Sequence, residues 1–262
     1  MKVRIDGVEI EYDVRGDGPA LLLLHAFPLG LSMWDAQVEA LWATHRVVRF
    51  DARGFGGSAP GDGTLTMERI ADDGAALFDH LGIEKAVVGG CSMGGYAAFA
   101  FVRRHPQRLT GLVLQDTRAA ADTAEARANR ATLASKVLAE GASAAVEAFL
   151  PKLLGETTRR ERPDLVASLR ERILATSPAG IANALHGLAA RADSRETLAT
   201  IAVPTLVLVG AEDVLTPPAE AATMAAAIPK ARLDVIPGAG HLANLESPAG
   251  VNAALRAFLA RS

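Results

Sequence analysis

The sequence predicts an α/β protein in which helices cover both faces of a mostly parallel sheet. Three features indicate this: short continuous apolar runs typical of strands buried on both faces, helical stretches between those runs, and an alternating segment near the amino terminus. The parallel strands are predicted at residues 21–24, 47–50, 86–88, 112–114, 205–209 and 233–236. Because each strand is followed by a helical stretch, right-handed crossovers should connect them.

The first strands should instead form an antiparallel hairpin. Val8, Ile10 and Tyr12 alternate with acidic residues, and Asp6-Gly7 separates this run from the residues before it. An Asp-Gly pair is well suited to a two-residue hairpin turn, because both central positions require positive φ.

Helix signals occur at two clear places. Residues 67–81 carry an apolar stripe between Thr66, a candidate amino-terminal cap, and Gly82, a typical helix stop. Ser247-Pro248 predicts the start of a second helix, and its apolar stripe comprises Val251, Leu255, Phe258 and Leu259.

The alternation of strands and helices is interrupted between residues 118 and 190. This segment is rich in Ala, Arg and Glu, has no β-branched runs, and is punctuated by Pro151, Pro163 and Pro178. We predict a helical cap insertion here, with residues 1–117 and 191–262 forming the core. A helical extension that packs at one side and binds nothing is the alternative.

The amino-acid composition limits the classes of molecule that the protein is expected to bind. Of 262 residues, half are hydrophobic, and the formal net charge is −3. This fits one domain with an insertion and provides no broad basic field for nucleic acid or anionic membranes. The single cysteine, Cys91, excludes an internal disulfide, and no apolar run approaches the length of a membrane span. We expect a cytoplasmic protein with a small-molecule substrate. The sequence does not decide whether the protein forms a homodimer.

The strongest chemical signal surrounds Ser92. A buried strand runs directly into Gly90-Cys91-Ser92-Met93-Gly94, which matches G-x-S-x-G, and a helical stretch follows. This motif places a nucleophilic serine on a sharp turn between strand and helix, where its neighbours must lack bulk. Cys91 should point into the core as a packed thiol.

A serine hydroxyl needs a general base, and the base needs a third group that fixes its tautomer. Asp213 and His241 each follow a predicted strand, so they should lie at the same sheet edge as Ser92. We predict Asp213 as the acid and His241 as the base. Asp116 and Glu212 compete for the role of the acid.

The oxyanion of a tetrahedral intermediate needs two N–H donors. We predict the amides of Met93, directly after the nucleophile, and of Phe27, in the turn after the strand at residues 21–24. The ring of neighbouring His25 should hydrogen-bond to the backbone and hold this loop in place rather than take part in catalysis. Apolar side chains at this edge that would line a substrate pocket are Phe27, Leu29, Met93, Leu215 and Leu242.

These motifs resemble the α/β-hydrolase superfamily along nearly the whole chain outside the insertion. Residues 51–58 resemble its D-x-R-G-x-G-x-S loop, and residues 210–217 resemble its acid turn. Ala26 departs from the family's usual Gly and fits if its φ is negative. The resemblance implies the α/β-hydrolase fold, with an eight-stranded, mostly parallel sheet, helices on both faces and a helical cap.

The resemblance also implies an esterase, a 3-oxoadipate enol-lactonase or a cofactor-free haloperoxidase or perhydrolase. Hydrolysis of a small carboxylic ester through an acyl-enzyme is our main hypothesis. A lactonase or perhydrolase using the same triad is the second, and a basic cap residue such as Arg130 or Arg191 facing the pocket would support the lactonase. A non-catalytic binding protein is the third. Neither a cofactor nor a metal is predicted, because residues 54–59 lack the helix of a dinucleotide site and the histidines lack ligand spacing.

Overall fold

In the computed structural model, which describes residues 1–260, eight strands form a single sheet. Residues 261 and 262 of the predicted core segment lie outside the described residues. The strands are β1 (Lys2–Ile5), β2 (Val8–Arg15), β3 (Ala20–Leu24), β4 (Arg46–Phe50), β5 (Ala86–Cys91), β6 (Leu109–Gln115), β7 (Thr205–Gly210) and β8 (Ala231–Ile236).

The strand order is β1-β2-β4-β3-β5-β6-β7-β8. Strands β1 and β2 pair antiparallel through the predicted hairpin, β2 pairs antiparallel with β4, and all other neighbours are parallel. The predicted mostly parallel, eight-stranded sheet is therefore confirmed. The carboxyl ends of β3 to β8 meet at one edge, where ligand sites of open α/β sheets lie.

Strand β8 differs from the prediction that its run is covered on both faces. It lies at the end of the sheet, and Val235 is 44% exposed. In contrast, all six residues of the central strand β5 are buried. An apolar run therefore located β8 correctly but did not reveal that it is an edge strand.

Twelve α-helices lie in the described part of the chain. They are α1 (Asp35–Leu41), α2 (Met67–Leu81), α3 (Met93–Arg104), α4 (Ala124–Glu140), α5 (Ser143–Leu153), α6 (Glu156–Glu161), α7 (Pro163–Leu174), α8 (Pro178–Ala190), α9 (Arg195–Leu198), α10 (Pro218–Ala227), α11 (Ala243–Glu246) and α12 (Pro248–Leu259). None of the helices among residues 1–260 is both long enough and apolar enough for a membrane span.

The two helices with clear sequence signals form at the predicted places. The Thr66 hydroxyl accepts a hydrogen bond from the Arg69 amide at the start of α2, and Gly82 ends that helix with a φ of 65°. Helix α12 begins at Pro248, but the Ser247 side chain makes no cap bond. Proline at the first helical position is sufficient to account for that start.

Six helices, α4 to α9, separate β6 from β7. Within this segment α4 packs against α8, and α5 packs against α4 and α7, whereas the short α9 contacts α3 and α10 of the sheet layer. The helices α4 to α8 are hereafter called the cap helices. Helix α6 follows a turn at Gly155 that contacts the loops after β7 and β8.

Candidate active site

Ser92 occupies the turn between β5 and α3 in a strained conformation. Its φ of 54° and ψ of −111° are rare for a residue with a side chain. A Cβ atom on Gly90 would lie 2.1 Å from the Gly94 carbonyl oxygen, and one on Gly94 would lie 2.1 Å from the Leu24 carbonyl oxygen. Both flanking glycines are therefore required by close backbone packing, as the motif predicts.

The structure brings Ser92, His241 and Asp213 together. Nδ1 of His241 lies 2.8 Å from Oδ2 of Asp213, and Nε2 lies 2.8 Å from the Ser92 hydroxyl oxygen. Because an ionised carboxylate can only accept, Nδ1 carries the proton and Nε2 is left as the acceptor for the hydroxyl. This is the arrangement that lets an imidazole remove a proton from serine.

Asp213 is held by the turn that follows β7. Its Oδ1 accepts hydrogen bonds from the amides of Leu215 and Thr216, at 2.8 and 3.0 Å, and Oδ2 accepts one from the Thr216 hydroxyl at 2.6 Å. Burial favours the neutral acid, but the bonds from His241 and Thr216 outweigh it and lower the pKa of Asp213. The carboxylate therefore stays ionised beside the imidazole.

The two competing acids make other contacts. Asp116 is fully buried and accepts hydrogen bonds from the amides of Gly210 and Ala243. Burial, together with the nearby charge of Asp213, raises the pKa of Asp116 well above its ordinary value. Glu212 accepts hydrogen bonds from Thr157, in α6. Neither carboxylate is hydrogen-bonded to His241.

The predicted oxyanion donors lie at the expected elements. Met93 is the first residue of α3, so its amide has no partner within the helix. Phe27 follows β3 and borders the same cavity as Ser92. Among residues 1–260, positive φ outside glycine occurs only at Asp6, Ser92 and Asp116, so Ala26 needs no left-handed backbone.

His25 supports the loop that carries Phe27. Its Nε2 accepts a hydrogen bond from the Ala52 amide at 2.9 Å, so Nδ1 carries the proton and donates to the Ala26 carbonyl at 3.0 Å. Burial lowers the pKa of His25, which keeps the ring neutral. The carboxylate of Asp51 accepts from the amides of Leu31 and Gly57 in the same region. The contacts of His25 agree with the structural role predicted for it.

Ser92 opens into a cavity of about 210 Å³ between the sheet edge and the cap helices. Its apolar lining is Phe27, Ala126, Phe149, Leu153, Leu188 and Leu215, and its polar lining is Ser92, Tyr96, Arg118, Asp122, Arg130, Arg191, Thr216 and His241.

Three of the predicted pocket residues, Leu29, Leu242 and Met93, do not border the Ser92 cavity. Leu29 borders a separate cavity beside Gly30 and Arg172, and Leu242 is fully buried without bordering the Ser92 cavity. Met93 is also buried in the core. Position near the sheet edge did not reveal these orientations, because a loop side chain can turn toward the core or the cavity.

Arg130 and Arg191, the two basic residues that would support a lactonase if they faced the pocket, both line this cavity, and Arg118, which the sequence did not single out, completes its cationic wall. Arg118, Arg130 and Arg191 face a single lining carboxylate, Asp122. Burial favours protonation of Asp122, but its bonds from Arg130 and Arg191 outweigh this effect and lower its pKa. Arg118 pairs with Glu220, which lies outside the lining, so three guanidinium groups meet two carboxylates and one positive charge remains in excess. Arg191 also stacks on the Tyr96 ring, with its guanidinium carbon 4.3 Å from the ring centroid.

Cys91 is buried behind the nucleophile, and burial raises the pKa of its thiol well above its ordinary value, with Asp116 and Asp213 adding to the effect. The thiol therefore stays protonated, which fits its predicted packing role. Within residues 1–260, no three His, Cys, Asp or Glu side chains are grouped as a metal site would require.

The chain is similar in sequence to a known protein family and to characterised proteins. The sequence profile described as "alpha/beta hydrolase fold" matches residues 19–248. The chain is 30% identical over 249 residues to 3-oxoadipate enol-lactonase 2 of Acinetobacter baylyi, which covers 94% of this chain and 91% of that protein.

Two solved structures are similar over almost their entire length. A thermophilic esterase from Thermogutta terrifontis, solved with malate bound, superposes with a TM-score of 0.98 at 44% identity, covering 100% of this chain and 98% of the esterase. The enol-lactonase from Burkholderia xenovorans LB400 superposes with a TM-score of 0.93 at 31% identity, covering 100% of both chains.

Proposed function

The chain belongs to the α/β-hydrolase family, and from that premise we propose that it is a serine hydrolase that cleaves a small carboxylic ester through an acyl-enzyme. The observation that carries the proposal is the continuous hydrogen-bonded path from Asp213 through His241 to the Ser92 hydroxyl.

Each member of the path has one task. Ser92 Oγ attacks the ester carbonyl carbon while its proton passes to Nε2 of His241, which gives a tetrahedral oxyanion. The intermediate collapses, the alcohol leaves with the proton from His241, and the acyl group stays on Ser92. Water, deprotonated by the same nitrogen, then attacks the acyl carbon; the bond to Ser92 Oγ breaks, His241 returns the proton to that oxygen, and the carboxylic acid leaves. Asp213 holds the imidazole in the required tautomer and stabilises its cationic form throughout.

The amides of Met93 and Phe27 are assigned to the oxyanion. Both residues stand beside Ser92, one at the start of α3 and one after β3. Donors fixed by helix and loop backbone need no reorganisation as charge develops on the oxygen, so they stabilise the transition state more than the substrate.

Labelling with a fluorophosphonate probe tests the proposal. The probe should modify Ser92, as located by peptide mass, and Ser92→Ala should lose labelling together with p-nitrophenyl acetate hydrolysis, by on the order of 10⁴-fold or more in kcat. Ser135→Ala is the matched control, because that hydroxyl is exposed on α4 and donates to the Ala131 carbonyl of the same helix. Hydrolysis that survives Ser92→Ala would contradict the proposal.

A second candidate, an enol-lactonase or other hydrolase of an anionic substrate, is favoured by the cationic wall. Arg130 is the best placed ligand, because its bond to Asp122 uses Nε and neither terminal nitrogen donates to an acceptor in the described part of the chain. A guanidinium with two free terminal nitrogens suits a carboxylate. The malate bound to the Thermogutta esterase and the names of the two enol-lactonases are consistent with this candidate.

Kinetics with matched substrates separate the two candidates. Arg130→Gln should raise KM for a carboxylate-bearing ester or lactone roughly tenfold and leave KM for its neutral methyl ester within about twofold. Equal effects on both substrates would favour the plain esterase.

A further inference from the structure

Glu246, at the end of α11, joins the loop that carries His241 (residues 237–242, hereafter the histidine loop) to the turn at Gly155 before α6 (hereafter the cap turn). Its Oε1 accepts hydrogen bonds from the amides of Gly240 at 2.9 Å and Leu242 at 3.2 Å, the two residues that flank His241. Its Oε2 accepts a hydrogen bond from the Gly155 amide at 2.8 Å, in the turn before α6. One carboxylate therefore binds both sides of His241 and a third amide 91 residues away in the chain.

The same two backbone segments are in direct contact. A Cβ atom on Gly240 would lie 2.2 Å from the Gly155 nitrogen, and a Cβ on Gly155 would lie 2.9 Å from the Gly240 nitrogen. No side chain fits between them, so neither segment can move toward the other without a clash. Glu246 fixes this contact, because each of its oxygens bonds one of the two segments.

We propose that Glu246 is a positioning residue for His241, through which docking of the cap sets the distance from His241 to Ser92. The inference rests on the proposed serine hydrolase function. The imidazole reaches both Asp213 and Ser92 at 2.8 Å, and its orientation follows from the backbone at residues 240 and 242. Because a displacement of about 1 Å can cost 10²-fold in rate, a loosened histidine loop should lower kcat.

A second carboxylate provides a matched control. Glu212, beside Asp213, also docks the cap: its Oε2 accepts from the Thr157 amide at 2.8 Å and its Oε1 from the Thr157 hydroxyl at 2.5 Å. Its side chain makes no hydrogen bond to the histidine loop. Removing its charge therefore weakens cap docking and leaves the amides on either side of His241 bound.

The experiment compares Glu246→Gln with Glu212→Gln in the full-length protein. The glutamine amide retains one acceptor oxygen, so at position 246 it satisfies either the histidine loop or the cap but not both. We expect Glu246→Gln to lower kcat for p-nitrophenyl acetate and the rate of fluorophosphonate labelling about tenfold or more, with KM within about twofold of wild type. Glu212→Gln should keep kcat within about twofold.

The outcomes are distinguishable. A Glu246→Gln protein with lower melting temperature but wild-type kcat overturns the inference, because the residue would then only stabilise the fold. Equal losses of kcat in both variants also overturn it, because a weakened cap would then lower kcat even where the amides that flank His241 stay bound. If the Gln variant does not fold, Glu246→Asp replaces it, since its shorter carboxylate cannot span both segments and should give an intermediate kcat. Activity that persists in Ser92→Ala would instead overturn the proposed function.

Discussion

Replacing Asp213 with Asn should disable His241 by reversing its tautomer. The amides of Leu215 and Thr216 can only donate, and both bond Oδ1, so the Asn oxygen must occupy that position. The Asn NH₂ group then replaces Oδ2 and points at Nδ1 of His241, which lies 2.8 Å from Oδ2 in the wild type. Nδ1 must become the acceptor, Nε2 takes the proton, and the base can no longer accept from Ser92.

The expected loss is large because the Asn NH₂ group can only donate to Nδ1, and the other nearby acceptor, the neutral Thr216 hydroxyl at 3.3 Å, is a weaker partner than the carboxylate. The corresponding change in a serine protease lowers kcat by roughly 10⁴, or about 5 kcal/mol of transition-state stabilisation at 1.36 kcal/mol per factor of ten. Asn keeps the shape of Asp and two of its four hydrogen bonds, so the variant should fold. The assay is active-site-titrated kcat for p-nitrophenyl acetate at neutral pH, with the melting temperature measured in parallel.

Asp116→Asn is the companion variant, because Asp116 is the competing acid. It contacts the amides of Gly210 and Ala243 rather than His241, so its loss should lower kcat far less than Asp213→Asn does. If Asp213→Asn stays within about tenfold of wild type while Asp116→Asn loses roughly 10⁴, the assignment of the acid is refuted.

Three further predictions concern stability. Gly94→Ala should lower the free energy of unfolding by roughly 3 kcal/mol or more, because its Cβ would lie 2.1 Å from the Leu24 carbonyl oxygen. The melting temperature and the labelling of Ser92 should fall with it. Gly111→Ala, whose Cβ would lie 3.2 Å from Val87, should have a smaller effect on all three. Arg53→Met should cost about 3 kcal/mol in urea unfolding, because it leaves the buried Asp73 carboxyl without its two bonds from Arg53, and a loss below about 1 kcal/mol would contradict this. Because burial raises the pKa of Asp116, the folded state binds its proton more tightly, so its contribution to unfolding free energy should fall as pH rises through that raised pKa. The difference in urea unfolding between wild type and Asp116→Asn should follow this trend, and a pH-independent difference would contradict it.

Local patterns were sufficient for most of the fold. Runs of buried apolar residues locate strands because a parallel strand is covered on both faces, and Thr66 and Gly82 locate the ends of α2 because their backbone and side-chain preferences are local. Pattern alone did not reveal that β8 is an edge strand, since edge position depends on which strands pair in space.

Cavity contacts were the least predictable part of the site. Arg118, Arg130 and Arg191 come from the long helical segment between β6 and β7 and its flanking loops, where arginines are common and most are solvated. Only the packing of the cap over the sheet edge selects these three. The same packing excludes Leu29 and Leu242, although both follow predicted strands.

The sequence by itself determined the class of fold, the serine turn with its required glycines, and the chain order of serine, acid and histidine. These depend on backbone geometry and on periodicity, which neighbouring residues encode. The tertiary structure decided which of three carboxylates meets the imidazole and how Glu246 joins the cap to the histidine loop. Such contacts join residues far apart in the chain, at distances of about 3 Å, and only the complete packing of sheet and cap sets those distances.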